Sequence, residues 1–368
     1  MQSQKKRQHF EKLYASYPDV VTSDQLRQML GCIGRNTVQE LLCSGAIRHY
    51  TVGRQYFIPK SWVIDYVLSR DYEAYRPKLR GRICVGALPR EHGGKRQMPN
   101  VIAIANQKGG VGKTTTAVSL GVGLANAGKR VLLVDCDQSG DLSIALGCRE
   151  PDSLPATLST ALAAVLDGRR VPLESILRRS PEGLDYLPSN VELAGTELTL
   201  IGTASREKVL REYLETAGRG YDFVLLDCAP SLGMMTVNAL AAANGVLIPV
   251  QAEYLSAKGL EQLLETVSRV KYQINPKLRV SGILLTMTSG RTNVSREITG
   301  LLRETYGGRL KIYDADIPRS VRAAETSAAG RSIYIHDPNG RVAEAYRQLT
   351  KEVLSDEKKR QQAHAQEL

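Results

Sequence analysis

The run Lys108-Gly109-Gly110-Val111-Gly112-Lys113-Thr114-Thr115 holds the most concentrated chemistry in the chain. Glycines at 109, 110 and 112 let a backbone wrap closely around an anion, where side chains would obstruct it. The apolar run VIAIANQ precedes the loop, and a helical stretch opens at Lys113–Thr114. The free N–H groups and positive dipole end of that helix point into the same loop. Lys113 is then placed to reach β- and γ-phosphate oxygens. Thr114 offers a hydroxyl to Mg²⁺, and Thr115 can bond an α-phosphate. Two further apolar runs end in acids: VLLVDCD, residues 131–137, with Asp135 and Asp137, and YDFVLLDCAPSLG, residues 221–233, with Asp227. Doubly wound sheets bind ligands at the carboxyl ends of their strands, so loop and acids belong to one site.

The loop departs from the strict G-x-x-x-x-G-K-[ST] pattern. Gln107 stands where that pattern has Gly, and a second lysine, Lys108, lies five residues before Lys113. In this it resembles the deviant phosphate loop of the ParA/MinD family of ATPases. The resemblance continues through GVLIPVQAEYLSAKGLEQLLETV, RVSGILLTMTSGRTNVS and IYDADIPRSVRAAETSAAGRSIYIHDPNGRVAEAYRQLTKEV, from Asn100 to Leu354. It implies an α/β fold with a doubly wound, mostly parallel sheet of P-loop NTPase type, binding ATP and Mg²⁺. It implies that Lys108 crosses a dimer interface to the neighbour's nucleotide in an ATP-dependent homodimer. It places catalysis on Lys108, Lys113 and Asp137, with Asp137 orienting the attacking water. The Mg²⁺ shell falls to Thr114, Asp137 and Asp227, and the nucleotide to residues 108–115, including Val111. Pro318 is expected near the adenine base.

The last two stretches look like plasmid and chromosome partition ATPases. The resemblance implies a DNA surface without sequence preference at Arg291 and Arg322, which Arg296, Arg319 and Arg331 would widen. It also implies a ParB-like partner that stimulates hydrolysis, and the segregation of a plasmid, mobile element or chromosome. Two departures bear on rate: the family's DxDPQG reads DCDQSG here, with Gln138 and Ser139, and Ala229 replaces the first Pro of DxPPSLG. Alternative readings are a nucleotide-sensing transcription regulator and an ATPase that positions a protein cargo. A membrane-surface ATPase like MinD is disfavoured, because EKKRQQAHAQEL has almost no apolar face. An iron–sulfur reductase is disfavoured because Cys136 and Cys228 lack companions in sequence.

The elements around this site divide by charge. The chain has 368 residues and a net charge of +11. Residues 1–99 carry 17 Lys/Arg against 8 Asp/Glu, whereas the remainder carries 32 against 30. The positive surplus suits nucleic acid and belongs mostly to the first quarter. The expected domains are 1–76, a basic linker 77–99 with a possible strand at Ile83–Leu88, 100–354, and a polar, frayed tail 355–368. No stretch approaches 18 uninterrupted apolar residues, and the basic amino terminus has no apolar core behind it. The six cysteines, Cys32, Cys43, Cys84, Cys136, Cys148 and Cys228, form no C-x-x-C pair. They read as reduced thiols in a cytoplasmic protein, and the resemblance to partition ATPases implies one associated with the nucleoid.

In the first quarter, Leu26/Met29/Leu30, Val38/Leu41/Leu42 and Val63/Tyr66/Val67 each repeat at i, i+3, i+4. Each is one buried helical stripe. Thr22 and Gln25 have capping-box spacing, so the first helix is expected from Ser23. Ile47–Thr51 and Gln55–Ile58 alternate around Val52-Gly53-Arg54 as a hairpin does. Pro59 and Ser61 open the third helix. Helix, turn, helix, hairpin, helix is a small winged helix-turn-helix. It resembles the excisionase-like and MerR-like DNA-binding domains. The resemblance sends the second helix, with Arg35, Asn36, Thr37 and Gln39, into the major groove. Arg48, His49, Arg54 and Lys60 are candidate phosphate contacts.

Overall fold

The computed structural model describes residues 7–8, 10–11, 14–15, 17–30, 35–52, 55–69, 98–169, 171–203, 205–252, 256–289 and 293–366. The chain divides into two units, Met1–His92 and Gly93–Leu368.

In the first unit, β1 (Val20–Val21) leads to helices Ser23–Met29 and Arg35–Cys43, then β2 (Tyr50–Val52), β3 (Gln55–Pro59) and helix Lys60–Val67. The strands form an antiparallel sheet in the order β1-β3-β2. The three apolar stripes are all buried in one small core. Thr22 and Gln25 cap the first helix reciprocally. The Thr22 N–H donates to Gln25 Oε1 at 2.9 Å, and the Gln25 N–H donates to Thr22 Oγ1 at 3.4 Å. Pro59 occupies the N-cap of the third helix. β1 is absent from the sequence reading, since two residues carry no periodicity. The hairpin tip Gly53–Arg54 and the linker with Ile83–Leu88 lie outside the described residues.

The second unit is an eight-stranded sheet between helical layers. Its strands are β4 (Asn100–Ile104), β5 (Val131–Cys136), β6 (Arg178–Arg179), β7 (Asp185–Leu187), β8 (Phe223–Cys228), β9 (Gly245–Gln251), β10 (Arg279–Thr288) and β11 (Ile317–Pro318). Their order is β11-β10-β9-β4-β8-β5-β7-β6, parallel throughout except for β6 against β7. β4, β5 and β8 are buried along their whole length. Ile102, Ile104, Leu133 and Leu225 face one core; Val101, Ala103, Leu132 and Val224 face the other. Burial on both faces explains why these strands read as continuous apolar runs.

The first core is closed by helices Lys113–Asn126 and Arg341–Gln366, which supply Leu120, Leu124, Tyr346, Leu349 and Val353. The latter helix corrects the expected frayed tail at 355–368, since it continues unbroken through Gln366. Its Glu357 is buried and accepts from Asn100 Nδ2 at 2.6 Å, at the start of β4. A helix buries only one stripe, so a mostly polar composition hid the inward-facing positions.

Gly123 marks where these two helices touch. A β-carbon there would strike the Thr350 hydroxyl and come within 2.9 Å of the Tyr334 hydroxyl. Gly→Ala inside a helix gains up to about 1 kcal/mol from backbone propensity alone. Overpacking costs about 1–3 kcal/mol and should win here. Gly123→Ala is therefore expected to lower the urea midpoint of the second unit. A raised midpoint would mean that the helices yield.

Candidate functional site

The site lies where β4, β8 and β5 end side by side. Register pairs Ile104 with Asp227 and Asp135 with Asp227, so the loop after β4 opens directly above both acids. Gly110 and Gly112 adopt φ of 72° and 85°. Gly112 is the N-cap of the Lys113–Asn126 helix. Among the described residues, a β-carbon at Gly109, Gly110 or Gly112 would meet no atom within 4 Å beyond its own chain neighbours. The glycines are therefore required by backbone conformation at 110 and 112. At all three they leave open the space in front of the loop. Val111 is buried, and Thr114 and Thr115 are half-buried in the first helical turn.

Lys113 is only 7% exposed, and its ammonium donates to the Lys108 carbonyl at 3.2 Å. Burial pulls its pKa down, against the carboxylates of Asp227, Asp137 and Asp141, which hold it up. Asp227 is fully buried. Burial, then the neighbouring Asp135, pushes its carboxyl well above the usual range, while Thr114 and Lys113 oppose the shift. Among the described residues, Asp227 Oδ1 is a buried oxygen with no hydrogen-bond partner. An orphaned carboxylate oxygen beside a threonine hydroxyl is a hard-oxygen donor set of the kind Mg²⁺ takes. The cradle above it is open to a polyphosphate. The residues present thus fit both groups.

The two acids of the first motif do different work. Asp135 Oδ2 accepts from Ser143 N at 2.9 Å and Ser143 Oγ at 2.7 Å, and its Oδ1 accepts from Asp137 N at 3.2 Å. Burial pushes its carboxyl up to about 7. Asp135 is a scaffold that pins the helix Asp141–Ala145 and the Asp137 backbone. Asp137 is half-buried; its Oδ1 accepts from Ser139 N at 3.0 Å. Asp137 is therefore partly open to solvent where Asp135 is closed off, and its charge acts on the Lys113 ammonium.

The sequence reading missed the braces beneath the loop. Buried Asn106 donates to the Pro249 carbonyl at 2.7 Å and accepts from Lys108 N at 3.0 Å. Gln107, the departure from the strict pattern, donates to Gly259 O at 3.0 Å and Gln262 Oε1 at 2.5 Å on the Ser256–Gln273 helix. Gln251, at the end of β9, donates to Gly110 O at 3.1 Å. Buried Thr286 of β10 donates to Val111 O at 2.9 Å. The available signal was a polar residue closing an apolar strand. Cys136 and Cys228, which sequence kept apart, are register partners on β5 and β8. Both are buried, and burial raises both thiols.

Other expected site residues are dispersed. Pro318 ends the edge strand β11, beside Thr288 of β10. Arg322 is exposed on the Val321–Ala329 helix, and Arg319 and Arg331 are exposed nearby in sequence. Arg291 and the side chain of Arg296 lie outside the described residues. In the first unit Gln39 is exposed, while Arg54 and the side chains of Arg35, Asn36 and Thr37 lie outside the described set. His49 Nδ1 is bound to the Ile47 carbonyl at 3.1 Å. Lys60 is corrected as a phosphate contact. Its ammonium donates to Tyr17 O at 2.8 Å and pairs with Asp19 at 3.2 Å, with the side chain only 19% exposed.

Thr286→Val removes one buried donor from the phosphate loop and leaves the Val111 carbonyl unpaired. One such bond is worth about 1 kcal/mol, so nucleotide affinity is expected to fall roughly fivefold by calorimetric titration. Unchanged affinity would show that the loop holds its shape without the brace.

A family model described as an AAA domain matches residues 99–280. The chain is 42% identical over 259 residues to the sporulation initiation inhibitor protein Soj of Bacillus subtilis, covering 70% of this chain and 100% of Soj. It is 41% identical over 263 residues to the chromosome partitioning protein ParA of Caulobacter vibrioides, covering 71% of this chain and 96% of that protein. Among solved structures, a Mycobacterium smegmatis protein described as cobyrinic acid a,c-diamide synthase, with bound ADP and magnesium, is 38% identical with a TM-score of 0.62. That match covers 71% of this chain and 96% of the other.

Proposed function

Because the chain belongs to the ParA/Soj family of chromosome-partitioning ATPases, we propose that it binds MgATP at the β4–β8–β5 strand ends and uses its hydrolysis to drive DNA partition. One observation carries this reading most strongly: the buried Asp227 oxygen that has no hydrogen-bond partner among the described residues, beside Thr114 and beneath a glycine loop ending in buried Lys113. Residues 108–115 hold the polyphosphate through backbone N–H groups. Lys113 neutralises its terminal oxygens, and Pro318 borders the base. Thr114, Asp227 and Asp137 take the Mg²⁺ shell, and the bound cation supplies charge neutralisation on the phosphates. Asp137 also orients the attacking water. Phosphoryl transfer depends mostly on positioning and electrostatic stabilisation, which a preorganised loop and buried lysine provide.

Two protomers close over the nucleotide, with each Lys108 reaching the neighbour's phosphates. The dimer joins the DNA surfaces of two protomers, formed by the exposed Arg322 and by Arg291, and the doubled phosphate contacts strengthen DNA binding without sequence preference. A ParB-like partner stimulates hydrolysis and release. The first unit acts as a winged helix-turn-helix that reads specific DNA as an autorepressor. Arg35, Asn36, Thr37 and Gln39 face the groove, and Arg48 and Arg54 face the backbone. Its small core, reciprocal Thr22–Gln25 cap and antiparallel hairpin support this reading.

Lys113→Ala is expected to lose both ATP binding and turnover, and Asp137→Ala to bind ATP without hydrolysing it. Turnover surviving both substitutions would refute the assignment. Lys108→Ala should bind ATP and remain monomeric by light scattering. A dimer forming with ATP in that variant would refute the cross-interface role.

A further inference from the structure

We infer that Asp65 occupies, in the protein without DNA, the position of a backbone phosphate, and that Arg7 and Arg48 form the clamp it holds in check. The inference rests on the first unit's reading as a DNA-binding module. Arg7 Nη1 donates to Asp65 Oδ1 at 2.9 Å, and Arg48 Nη2 donates to Asp65 Oδ2 at 3.3 Å. Each carboxylate oxygen thus faces one guanidinium, as the two free oxygens of a phosphodiester would. The guanidiniums come from segments 41 residues apart in sequence, so only the fold brings them together. Without an anion between them they would repel.

Arg48 is also preorganised. Its guanidinium carbon lies 4.9 Å from the Trp62 ring centroid, and the Tyr50 ring lies 5.0 Å from Trp62 on the other element. A stacked arginine loses less freedom when it captures an anion. The cluster is open to a large ligand: side-chain exposures are 44% for Arg7, 65% for Arg48 and 38% for Asp65. Tyr50 is 57% exposed. Arg7 has a second acid, Glu11, at 3.3 Å, so Asp65 is the acid common to both arginines. The occupant that fits is the phosphodiester backbone of duplex DNA. It presents paired anionic oxygens to a unit rich in Lys and Arg.

The test uses the full chain without nucleotide and a labelled 30-base-pair duplex of random sequence, followed by anisotropy across a salt series. Trp62, the single tryptophan, gives an independent emission signal from the cluster itself. Asp65→Asn is expected to tighten binding roughly two- to fivefold, the range an exposed ion pair supports. It should steepen the salt dependence by about one counterion. Asp65→Ser should do the same, which separates the charge effect from any local misfolding. Arg48→Ala should weaken binding and cancel most of the gain when combined with Asp65→Asn, and duplex should shift Trp62 emission.

Equal tightening with Arg7 and Arg48 both replaced by Ala would reflect loss of one negative charge anywhere, and would overturn the inference. So would binding that Arg48→Ala weakens but Asp65→Asn leaves unchanged, although the DNA-binding reading would then stand. No binding of the random duplex by wild type or by Asp65→Asn overturns the inference, while the sequence-specific reading of the unit is judged separately on its operator.

Discussion

Burying charge is the constraint around which the second unit is built. Asp135 and Asp227 are fully buried on neighbouring strands, and the Lys113 ammonium is buried beside them. Two carboxylates that close are costly to ionise together, and a buried amine is costly to keep charged. Asp135 is relieved by three donated hydrogen bonds. Among the described residues, Asp227 has no such relief at Oδ1. The protein thus satisfies one acid internally and, among the described residues, leaves one oxygen of the other without a donor. On the proposed function that difference separates a scaffold acid from a ligand acid on adjacent strands.

The rest of the unit holds these groups in register. Parallel pairing of β4, β8 and β5 brings three carboxyl ends to one level. Left-handed backbone at Gly110 and Gly112 turns the chain from strand to helix within a few residues. Side chains from β9 and β10 then grip the loop carbonyls, and the Ser256–Gln273 helix holds Gln107, so strands one and two positions away from β4 set the loop's shape. At the far end of β4, Asn100 is tied to Glu357 of the last helix. The central strand is anchored at both ends by polar groups within an apolar sheet.

Much of this was legible in sequence because it rests on local pattern. The glycine loop, the acids closing apolar runs, and three helical stripes around Leu26, Leu41 and Val63 are read from spacing alone. What escaped depended on long-range contact. Thr286 and Gln251 look like ordinary strand ends until the sheet order places them under Val111 and Gly110. Cys136 and Cys228 lie 92 positions apart and meet only through β5–β8 pairing. The polar composition after Leu354 concealed the stripe that includes buried Glu357. Lys60 reads in sequence as a phosphate contact, whereas the fold sets its ammonium against Asp19 and the Tyr17 carbonyl, where it holds backbone.

On the proposed function, a magnesium–polyphosphate pair completes the Asp227–Thr114–Lys113 cluster. Ligand-dependent thermal unfolding of the full chain tests this most directly. A ligand bound only by the folded state stabilises it by RT ln(1 + [L]/Kd), about 2.7 kcal/mol at a hundredfold excess over Kd. MgATP is expected to raise the midpoint of the second unit well above ATP with chelator or Mg²⁺ alone, and Asp227→Asn to remove the magnesium-dependent part. Equal shifts with and without Mg²⁺, or a full magnesium-dependent shift in Asp227→Asn, would contradict the proposed function.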